Sequence, residues 1–450
     1  MAMDINTSGD LVAVSGLRQV GTPPEGTPAA LSKLFLFDEN SQVQVTQTRE
    51  TNQGEKTGHV EPTEVSVLSS DSAGTLTQAK ATPDAMAWAF AFAFGHRSTV
   101  EIDVGQSYRH TSALTQYPTN PSYFTLAHRR GGSGGAAADF RRHYALGINT
   151  LSLTAAKDAF MTMALGVLGI GLSDDNIVTE HITANDDATT LTLANDPVGS
   201  SDPIKAQNVT VWADMDDDGI YEREVFATAY DSGTNVLTIT SLGGGGDPID
   251  YRVTYQVVPT ASGHSWADLS ALLTAEEFVL KAANIQIFLA TAFSSLAPIT
   301  KGLTGQVGLC EVLRFQYDLD WKGSTGKCWR IGSTPSDSAT QVELGSMEQK
   351  LTLDRQARDY LFKQNFDENT ALGFYFDAIG PNIPGTSTPF SVKMAIPRLK
   401  FLTKDFQATD GKWVEAGSLV VLKDTVNPSN PTCQVEIVNG IAGTTYLTNP

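Results

Sequence analysis

The chain has 450 residues, and its hydrophobic fraction of 41% is enough to build the cores of roughly two to four domains. Its formal net charge of -19 argues against tight binding to nucleic acid, because phosphate recognition needs clustered Lys and Arg. An acidic wall can still enclose DNA without gripping it, since like charges keep the polymer away from the wall. Abundant Thr, Ser, Gly and Val favour strands and turns over long helices.

Cysteine usage and the amino terminus bear on where the protein is made. Cys310 and Cys328 either face each other across a hairpin or remain free thiols, and three cysteines are too few for a disulfide framework. The first ten residues have neither the basic nor the apolar region of a signal peptide. No window approaches the roughly 20 apolar residues of a membrane span. We expect a soluble protein that is made in the cytoplasm and is not exported by a classical route.

The first third of the chain is predicted to contain an arm, two strands and one helix. Residues 1–32 are polar and rich in Pro and Gly, which is typical of an extended arm that becomes ordered only against neighbours. Strands are expected at 34–37 and 43–45, followed by a mobile loop at 49–62. We expect the arm or this loop to lock adjacent copies together.

A helix is predicted to begin after Thr82 and to end at Gly95. Thr82 is a good N-cap, Pro83 suits the first turn, and Asp84 complements the positive end of the helix. The body of the helix is apolar on nearly every side, so we expect it to be buried under a sheet.

Two segments have the alternation of β-hairpins, 144–172 and 390–424. In the second, Val392, Met394 and Ile396 alternate with polar or small residues, and a tight turn follows at Asp410-Gly411. This pattern predicts a strand buried on one face only. The opposite face, at Ser391, Lys393 and Ala395, is expected to point to a lumen or to a neighbouring copy.

The remaining segments are more varied. Residues 177–260 are acidic, with short strand signals about every ten residues, which suggests a small all-β insert. Short helices are predicted at 275–280 and at 354–364, the second opened by Asp354. The residues from Thr425 onward are loosely patterned and are expected to form an outer flap.

An acidic stretch at 214–219 resembles the start of a calcium loop, with Asp214, Asp216 and Asp218 as candidate ligands. The Glu expected at the twelfth position is replaced by Val225, although Glu222 and Glu224 are nearby substitutes. The alternative is an acidic hairpin turn, because the stretch joins two predicted strands. No cofactor is expected.

Other motifs are weaker. Ser133 matches a nucleophile motif by letter but lies in a glycine run, so we expect no enzyme activity. The seven histidines are scattered, and no zinc or nucleotide motif occurs. The basic cluster of Arg129, Arg130, Arg141 and Arg142 is expected either to pair with an acidic surface of a neighbouring copy or to remain solvated.

The order of these elements resembles the tail tube proteins (major tail proteins) of long-tailed bacteriophages. Four segments carry the resemblance: the opening at 16–23 with 33–37, the helix at 83–95, the hairpin at 144–171 and the strands at 390–424. Within the hairpin, the matching positions are Gly147, Asn149, Leu151, Leu153 and Gly169. Gln19 stands where the family commonly has an acidic residue.

The resemblance implies a mainly β chain with a β-sandwich fold that forms a ring and its inner β-barrel, one buried helix and an inserted small all-β domain. It implies an extended N-terminal arm at 1–32, a tube domain at 33–176 and 265–424, an inserted decoration domain at 177–264 and a C-terminal extension at 425–450.

In function, the resemblance implies stacked hexameric rings that form the virion tail tube and conduct genome DNA during ejection. The implied partners are further copies of the chain and the tape measure, tail terminator and distal tail proteins, with no membrane and no specific binding of the DNA. Assembly would take place in the host cytoplasm, and the resemblance is closer to non-contractile tails. The alternative is a carbohydrate- or surface-binding β-sandwich adhesin, with Trp212, Tyr221 and Tyr251 as a ligand platform.

Overall fold

The computed structural model describes residues 11–19, 28–51, 65–114, 121–130, 139–199, 201–216, 219–244, 246–257, 278–290, 307–309, 312–326, 341–409, 411–442 and 446–447. The chain is mainly β, as predicted, and its large sheets are antiparallel. The loop expected at 49–62 and the helix expected at 275–280 fall largely outside the described residues.

The described strands are β1 (Leu11–Ser15), β2 (Leu31–Phe35), β3 (Gln42–Thr51), β4 (Val65–Gln78), β5 (Ser98–Asp103), β6 (Ser107–Ala113), β7 (Phe124–Arg130), β8 (Asp139–Ala156), β9 (Thr162–Asp175), β10 (Ile177–Asn185), β11 (Thr190–Thr192), β12 (Thr210–Asp214), β13 (Arg223–Val225), β14 (Ala227–Asp231), β15 (Val236–Ile239), β16 (Pro248–Gln256), β17 (Ile285–Ala290), β18 (Val307–Gly308), β19 (Val312–Asp320), β20 (Ser324–Gly326), β21 (Gln341–Glu343), β22 (Glu348–Gln356), β23 (Leu372–Asn382), β24 (Pro389–Thr409), β25 (Lys412–Val421) and β26 (Gln434–Asn439).

The described helices are α1 (Pro83–Phe94), α2 (Asp202–Gln207) and α3 (Leu361–Asp367), with one 3₁₀ turn at Ala282–Asn284. None of these helices is long and apolar enough to cross a membrane.

The chain divides into two compact units. The smaller unit comprises Met1–Ala13, Leu126–Arg142 and Ser173–Leu273, and the larger unit comprises Val14–Thr125, His143–Leu172 and Thr274–Pro450. The domain boundaries inferred from the resemblance remain predictions.

The smaller unit is built on two antiparallel sheets, ordered β10-β16-β12-β13 and β11-β15-β14. Apolar residues of both sheets, among them Val211, Leu237 and Val253, form one buried core. Period-two alternation supplies these residues: in β16 every second side chain, from Ile249 to Tyr255, is buried. The short strands expected in the acidic segment are therefore confirmed.

Two runs of antiparallel strands form the main layers of the larger unit and share the long strand β24. In one run, β5, β6, β26, the first half of β24, β23 and β17 follow one another. In the other, the second half of β24 is followed by β25, β22, β19 and β8. The runs face each other, because the Phe315 ring stacks on Phe374 and Phe376 at centroid distances of 5.6 and 5.1 Å.

Helix α1 is buried in this unit, as predicted. The Thr82 hydroxyl caps the helix by accepting from the Ala85 N–H, and Gly95 ends it in the left-handed region at φ 66°. All residues from Pro83 to Phe94 are buried. The Trp88 ring lies 5.1 Å from the Phe124 ring, and its Nε1–H donates to the Ser15 carbonyl at 2.9 Å.

A buried polar network surrounds the start of α1. Lys33 Nζ donates to both Asp84 carboxylate oxygens at 3.2 Å, and the Tyr446 hydroxyl also donates to Asp84. Asn439 Nδ2 donates to the Tyr446 hydroxyl at 2.9 Å, and the Asn439 carbonyl oxygen lies 3.0 Å from His110 Nε2. The network links the helix start to β2, β6 and β26.

Within the extended arm expected at 1–32, the structure describes residues 11–19 and 28–32, and residues 11–19 differ from that expectation. Residues 11–15 form strand β1, in which Val14 and Ser15 are buried. Gln19 is also buried, and its side-chain oxygen accepts from the Ala145 N–H at 2.8 Å. These residues pack in their own chain, because apolar side chains and backbone groups there find partners within it.

The prediction that β24 is buried on one face only is wrong for its first half. Ser391 and Ala395 are buried, and Ala395 packs against Tyr375. Lys393 lies between Asp377 of β23 and Glu436 of β26 in the strand register, so opposite charges flank it. This face therefore lies within the fold of the chain and does not form an open wall.

The helix predicted at 354–364 is also wrong. Asp354 lies in strand β22, and the helix of this region begins at Leu361. The cause is Arg355, a charged residue on the buried face of the strand. Arg355 is accommodated there because it donates to the Glu415 carboxylate through Nε at 3.0 Å and Nη2 at 2.7 Å.

The residues expected to form an outer flap contain a central strand. All residues of β26 are buried, and the strand pairs with β24 on one side and β6 on the other. The strand was not predicted because Gln434, Glu436 and Asn439, all polar and buried, interrupt its apolar pattern.

Candidate assembly surfaces

Strand β5 offers an exposed sheet edge. It pairs with β6 in register from Ser98 opposite Thr111 to Asp103 opposite Ser107, and no register of the described residues pairs its other side. Along this strand and the turn after it, Val100 is 50% exposed, Ile102 43% and Val104 91%. An apolar strand with open backbone groups is a template for pairing with another chain.

Strand β3 has a different character. It pairs with β4, and beyond Val45 its residues are polar and exposed. Gln44 Nε2 donates to the Gln42 side-chain oxygen at 2.9 Å, and Arg49 Nη2 donates to Gln47 at 2.8 Å. Both contacts join side chains two residues apart along the strand.

A cationic surface lies at the turn end of the β24–β25 hairpin. We define it by Arg358, Tyr360, Lys363, Lys412 and Trp413, all of which are exposed. Trp413 lies opposite Ala408 in the hairpin register, one residue from the end of the pairing. The Tyr360 ring lies 6.0 Å from the Phe406 ring, so aromatic side chains of β24 and of the segment before α3 meet there.

The calcium candidates are brought together only in part. Carboxylate oxygens of Asp214, Asp216 and Glu222 lie within 4.8 Å of one another, whereas Asp218 falls outside the described residues. Asp214 accepts from the Gly219 N–H at 2.8 Å, and Glu222 accepts from the Met215 N–H at 2.8 Å. These bonds close the connection between β12 and β13, so the hairpin turn explains the cluster and we assign no ion to it.

The proposed ligand platform of the adhesin alternative is wrong for Tyr251. Its ring is fully buried in the core of the smaller unit, and its hydroxyl donates to the Asn185 carbonyl at 3.0 Å. Tyr221 is partly buried. Its hydroxyl donates to Asp250 at 2.5 Å, and this bond is the main reason that the pKa of Tyr221 is raised to about 12. Because the Tyr221 hydroxyl is already bonded to Asp250, Tyr221 is a poorer candidate for a ligand-binding residue.

The arginine cluster has a partner within the chain. Arg142 donates to Asp174 through Nε at 3.0 and 3.2 Å, and the Arg142 guanidinium makes a further contact through Nη2. Arg142 therefore has an acidic partner in its own chain and does not need one on a neighbouring copy. Ser133 and the side chain of Arg130 lie outside the described residues.

Sequence reasoning did not identify the cationic surface. Tyr360 and Trp413 are separated by more than fifty positions, so no local pattern links them. Only the pairing of β22, β24 and β25 brings them near each other.

Comparison with models of known protein families and with curated proteins finds no match to this chain.

Proposed function

We propose that this chain is a structural protein of a bacteriophage tail, whose copies form hexameric rings that stack into a hollow tube for genome DNA. The observation that carries the proposal is the apolar edge strand β5, in which Val100 is half exposed, together with the turn after it, where Val104 is almost fully exposed. A monomer that keeps such an edge risks uncontrolled pairing, and natural proteins usually blunt or cover it.

Closed rings remove this hazard, because each edge is then covered by the next copy around the symmetry axis. Within the chain the described strands do not close into a barrel, so the inner barrel of the proposed tube would be completed by strands of neighbouring copies. The different characters of the two strands, with exposed apolar side chains on β5 and exposed polar side chains on β3, fit a head-to-tail contact between unlike surfaces.

The charge of the chain supports the conduit role. At -19 per copy, a ring carries strong negative charge, and a DNA backbone inside it would be repelled from the wall. Binding would therefore be non-specific and weak, as passage during ejection requires. In this proposal the rings are part of a non-contractile virion tail, together with tape measure, terminator and distal tail proteins.

The proposal is tested by negative-stain electron microscopy of the concentrated protein, with Val100→Lys as the edge variant. We expect rings and tubes from the unmodified chain and dispersed particles from the variant, since a charge on the edge opposes strand pairing. Val426→Lys is the matched control, because Val426 is an exposed valine outside the strands. A chain that stays monomeric, or an edge variant that forms normal tubes, would overturn the proposal.

A further inference from the structure

The cationic surface stands out in a chain that has 50 Asp and Glu against 31 Lys and Arg. Gln356 and Lys412 line a concavity of about 310 Å³, and their chain neighbours Ala357 and Trp413 line another of about 400 Å³. The cations lining them are Lys157, Arg314, Arg358, Lys363 and Lys412. Among the described residues no carboxylate lines either concavity, and the Asp367 carboxylate, outside the linings, pairs with Lys363 at 2.5 Å.

The surface also exposes large aromatic rings. Trp413 is 63% exposed and Tyr360 64%, and both line the larger concavity beside Phe406. Trp, Tyr and Arg are the residues most enriched where protein–protein contacts concentrate their binding energy. An exposed surface with this composition is therefore typical of a protein–protein interface.

The backbone of Tyr360 supports a role for its ring. At φ 53° it occupies the left-handed region, which bulky residues rarely adopt. The surroundings impose this conformation: Tyr360 O accepts from the Gln364 N–H at 2.9 Å, and Asp359 Oδ1 accepts from the Leu361 N–H at 3.1 Å. Strained residues of this kind concentrate at sites that bind or switch.

The chain itself carries a surface of opposite charge. Residues 177–256 contain fourteen Asp and Glu but three Lys and Arg, so they hold 11 of the 19 net negative charges. Asp187 and Glu224 in this segment are exposed. Complementary charges of this kind orient two chains as they meet and raise the association rate.

We propose that the cationic surface of one copy docks the acidic segment 177–256 of a second copy, with Trp413 and Tyr360 as the anchors. The contact joins two unlike surfaces and can therefore be repeated from copy to copy. This inference rests on the proposed self-assembly and names the surfaces that one of its contacts uses.

The test uses sedimentation velocity of the full chain over a range of concentrations. Trp413→Ala combined with Lys363→Glu gives the surface variant, and Asp187→Lys combined with Glu224→Lys gives the acidic-segment variant. Each is expected to associate about 30-fold more weakly than the unmodified chain. Leu36→Ala is the matched control, because Leu36 is an exposed apolar residue outside both surfaces. Circular dichroism checks that every variant is folded.

Mixing the two variants identifies the occupant. A mixture holds one intact copy of each surface on different chains, so the two variants are expected to form a one-to-one pair whose affinity is within about threefold of that of the same contact in the unmodified chain. Raising salt from about 0.05 to about 0.5 M should weaken the contact in the unmodified chain, since exposed charges are screened.

The possible failures are distinct. If the unmodified chain assembles and the surface variant assembles equally well, the docking surface is wrong while self-assembly stands. If both variants lose association and the mixture does not recover it, the acidic segment of a second copy is not the occupant. A chain that never associates overturns both proposals.

Discussion

Lys33 Nζ lies 3.2 Å from both carboxylate oxygens of Asp84, and both side chains are almost completely buried. The pair joins strand β2 to the first turn of α1, where the positive helix end also favours the carboxylate. Burial is the largest influence on Asp84 and raises its pKa, whereas the Lys33 charge acts in the opposite direction. The first turn of α1 thus contains a buried carboxylate, Asp84, whose negative charge is balanced by Lys33.

Removing Lys33 should therefore be costly. Lys33→Met leaves Asp84 buried without its cation, and we expect a loss of about 3–5 kcal/mol in the free energy of unfolding. Urea denaturation followed by circular dichroism measures it. Lys80→Met is the control at an exposed lysine and should change stability by less than about 0.5 kcal/mol. Equal effects of the two changes would show that the buried pair is not a special contributor.

His110 should make stability depend on pH. It is buried, and its Nε2 faces two acceptors, Asn439 Oδ1 at 3.0 Å and the Ile441 carbonyl at 3.1 Å, while Thr99 Oγ1 lies 3.0 Å from Nδ1. This arrangement fits the neutral ring. Burial, more than any other cause, lowers the pKa of His110 to about 4. The hydrogen bonds to Asn439 and to the Ile441 carbonyl raise this pKa by less, and the charges of Arg97 and Lys33 lower it further.

Because the unfolded chain binds this proton more readily, the stabilisation is complete above about pH 6.5 and is lost as pH falls toward 4. Between pH 7.5 and 5 we expect a loss of about 2 kcal/mol in the unfolding free energy. His110→Gln should remove this part of the pH dependence, whereas His181→Gln, at an exposed histidine, should retain it. The raised pKa of Asp84 acts with the opposite sign and persists in both variants.

Gly74 marks a close approach between β4 and β3. A Cβ atom at this position would lie 2.1 Å from the Gln42 carbonyl oxygen and 2.7 Å from Val43 Cα, and neither backbone atom can move away alone. Gly74→Ala should therefore cost about 2–3 kcal/mol of unfolding free energy. Gly326→Ala is the control, because its nearest contact would be an ordinary 3.5 Å. A thermal midpoint of Gly74→Ala equal to that of the control would refute the close approach.

Cys433 should be chemically silent in the native protein. It is a free, fully buried thiol, and burial raises its pKa to about 12. Because the thiolate is the reactive form, iodoacetamide at pH 8 should leave Cys433 unmodified until the protein is unfolded in urea. Peptide mass mapping measures the extent of modification. Rapid labelling of Cys433 without denaturant would contradict its position in the core.

Sequence patterns predicted the elements whose signals are local. Helix α1 was predicted because Thr82 and Gly95 mark its ends by their own chemistry. The β24–β25 hairpin was predicted because Gly411 supplies the left-handed conformation its turn needs. In each case the determining residues lie within one element and its immediate neighbours.

Patterns failed where a polar residue is buried by a partner distant in sequence. The end of strand β22 was wrongly predicted to begin a helix because the partner of buried Arg355, Glu415, lies sixty positions away. Strand β26 was missed for the same reason, because the buried polar residues Glu436 and Asn439 interrupt its apolar pattern. Ser391 is buried by neighbouring strands, which its own sequence pattern cannot indicate. The cationic surface depends on long-range pairing as well, so no local period could reveal it.

The central claim is that edge strands of this chain pair with neighbouring copies to form rings and tubes. The most direct measurement is a cross-sectional electron-microscopy map of the assembly formed by the concentrated protein. The account predicts a hollow six-fold ring in which Ser98–Asp103 of each copy contacts the next copy, and no such ring for Val100→Lys. A map in which Ser98–Asp103 faces solvent in every copy, or a protein that remains monomeric at all concentrations, would contradict it.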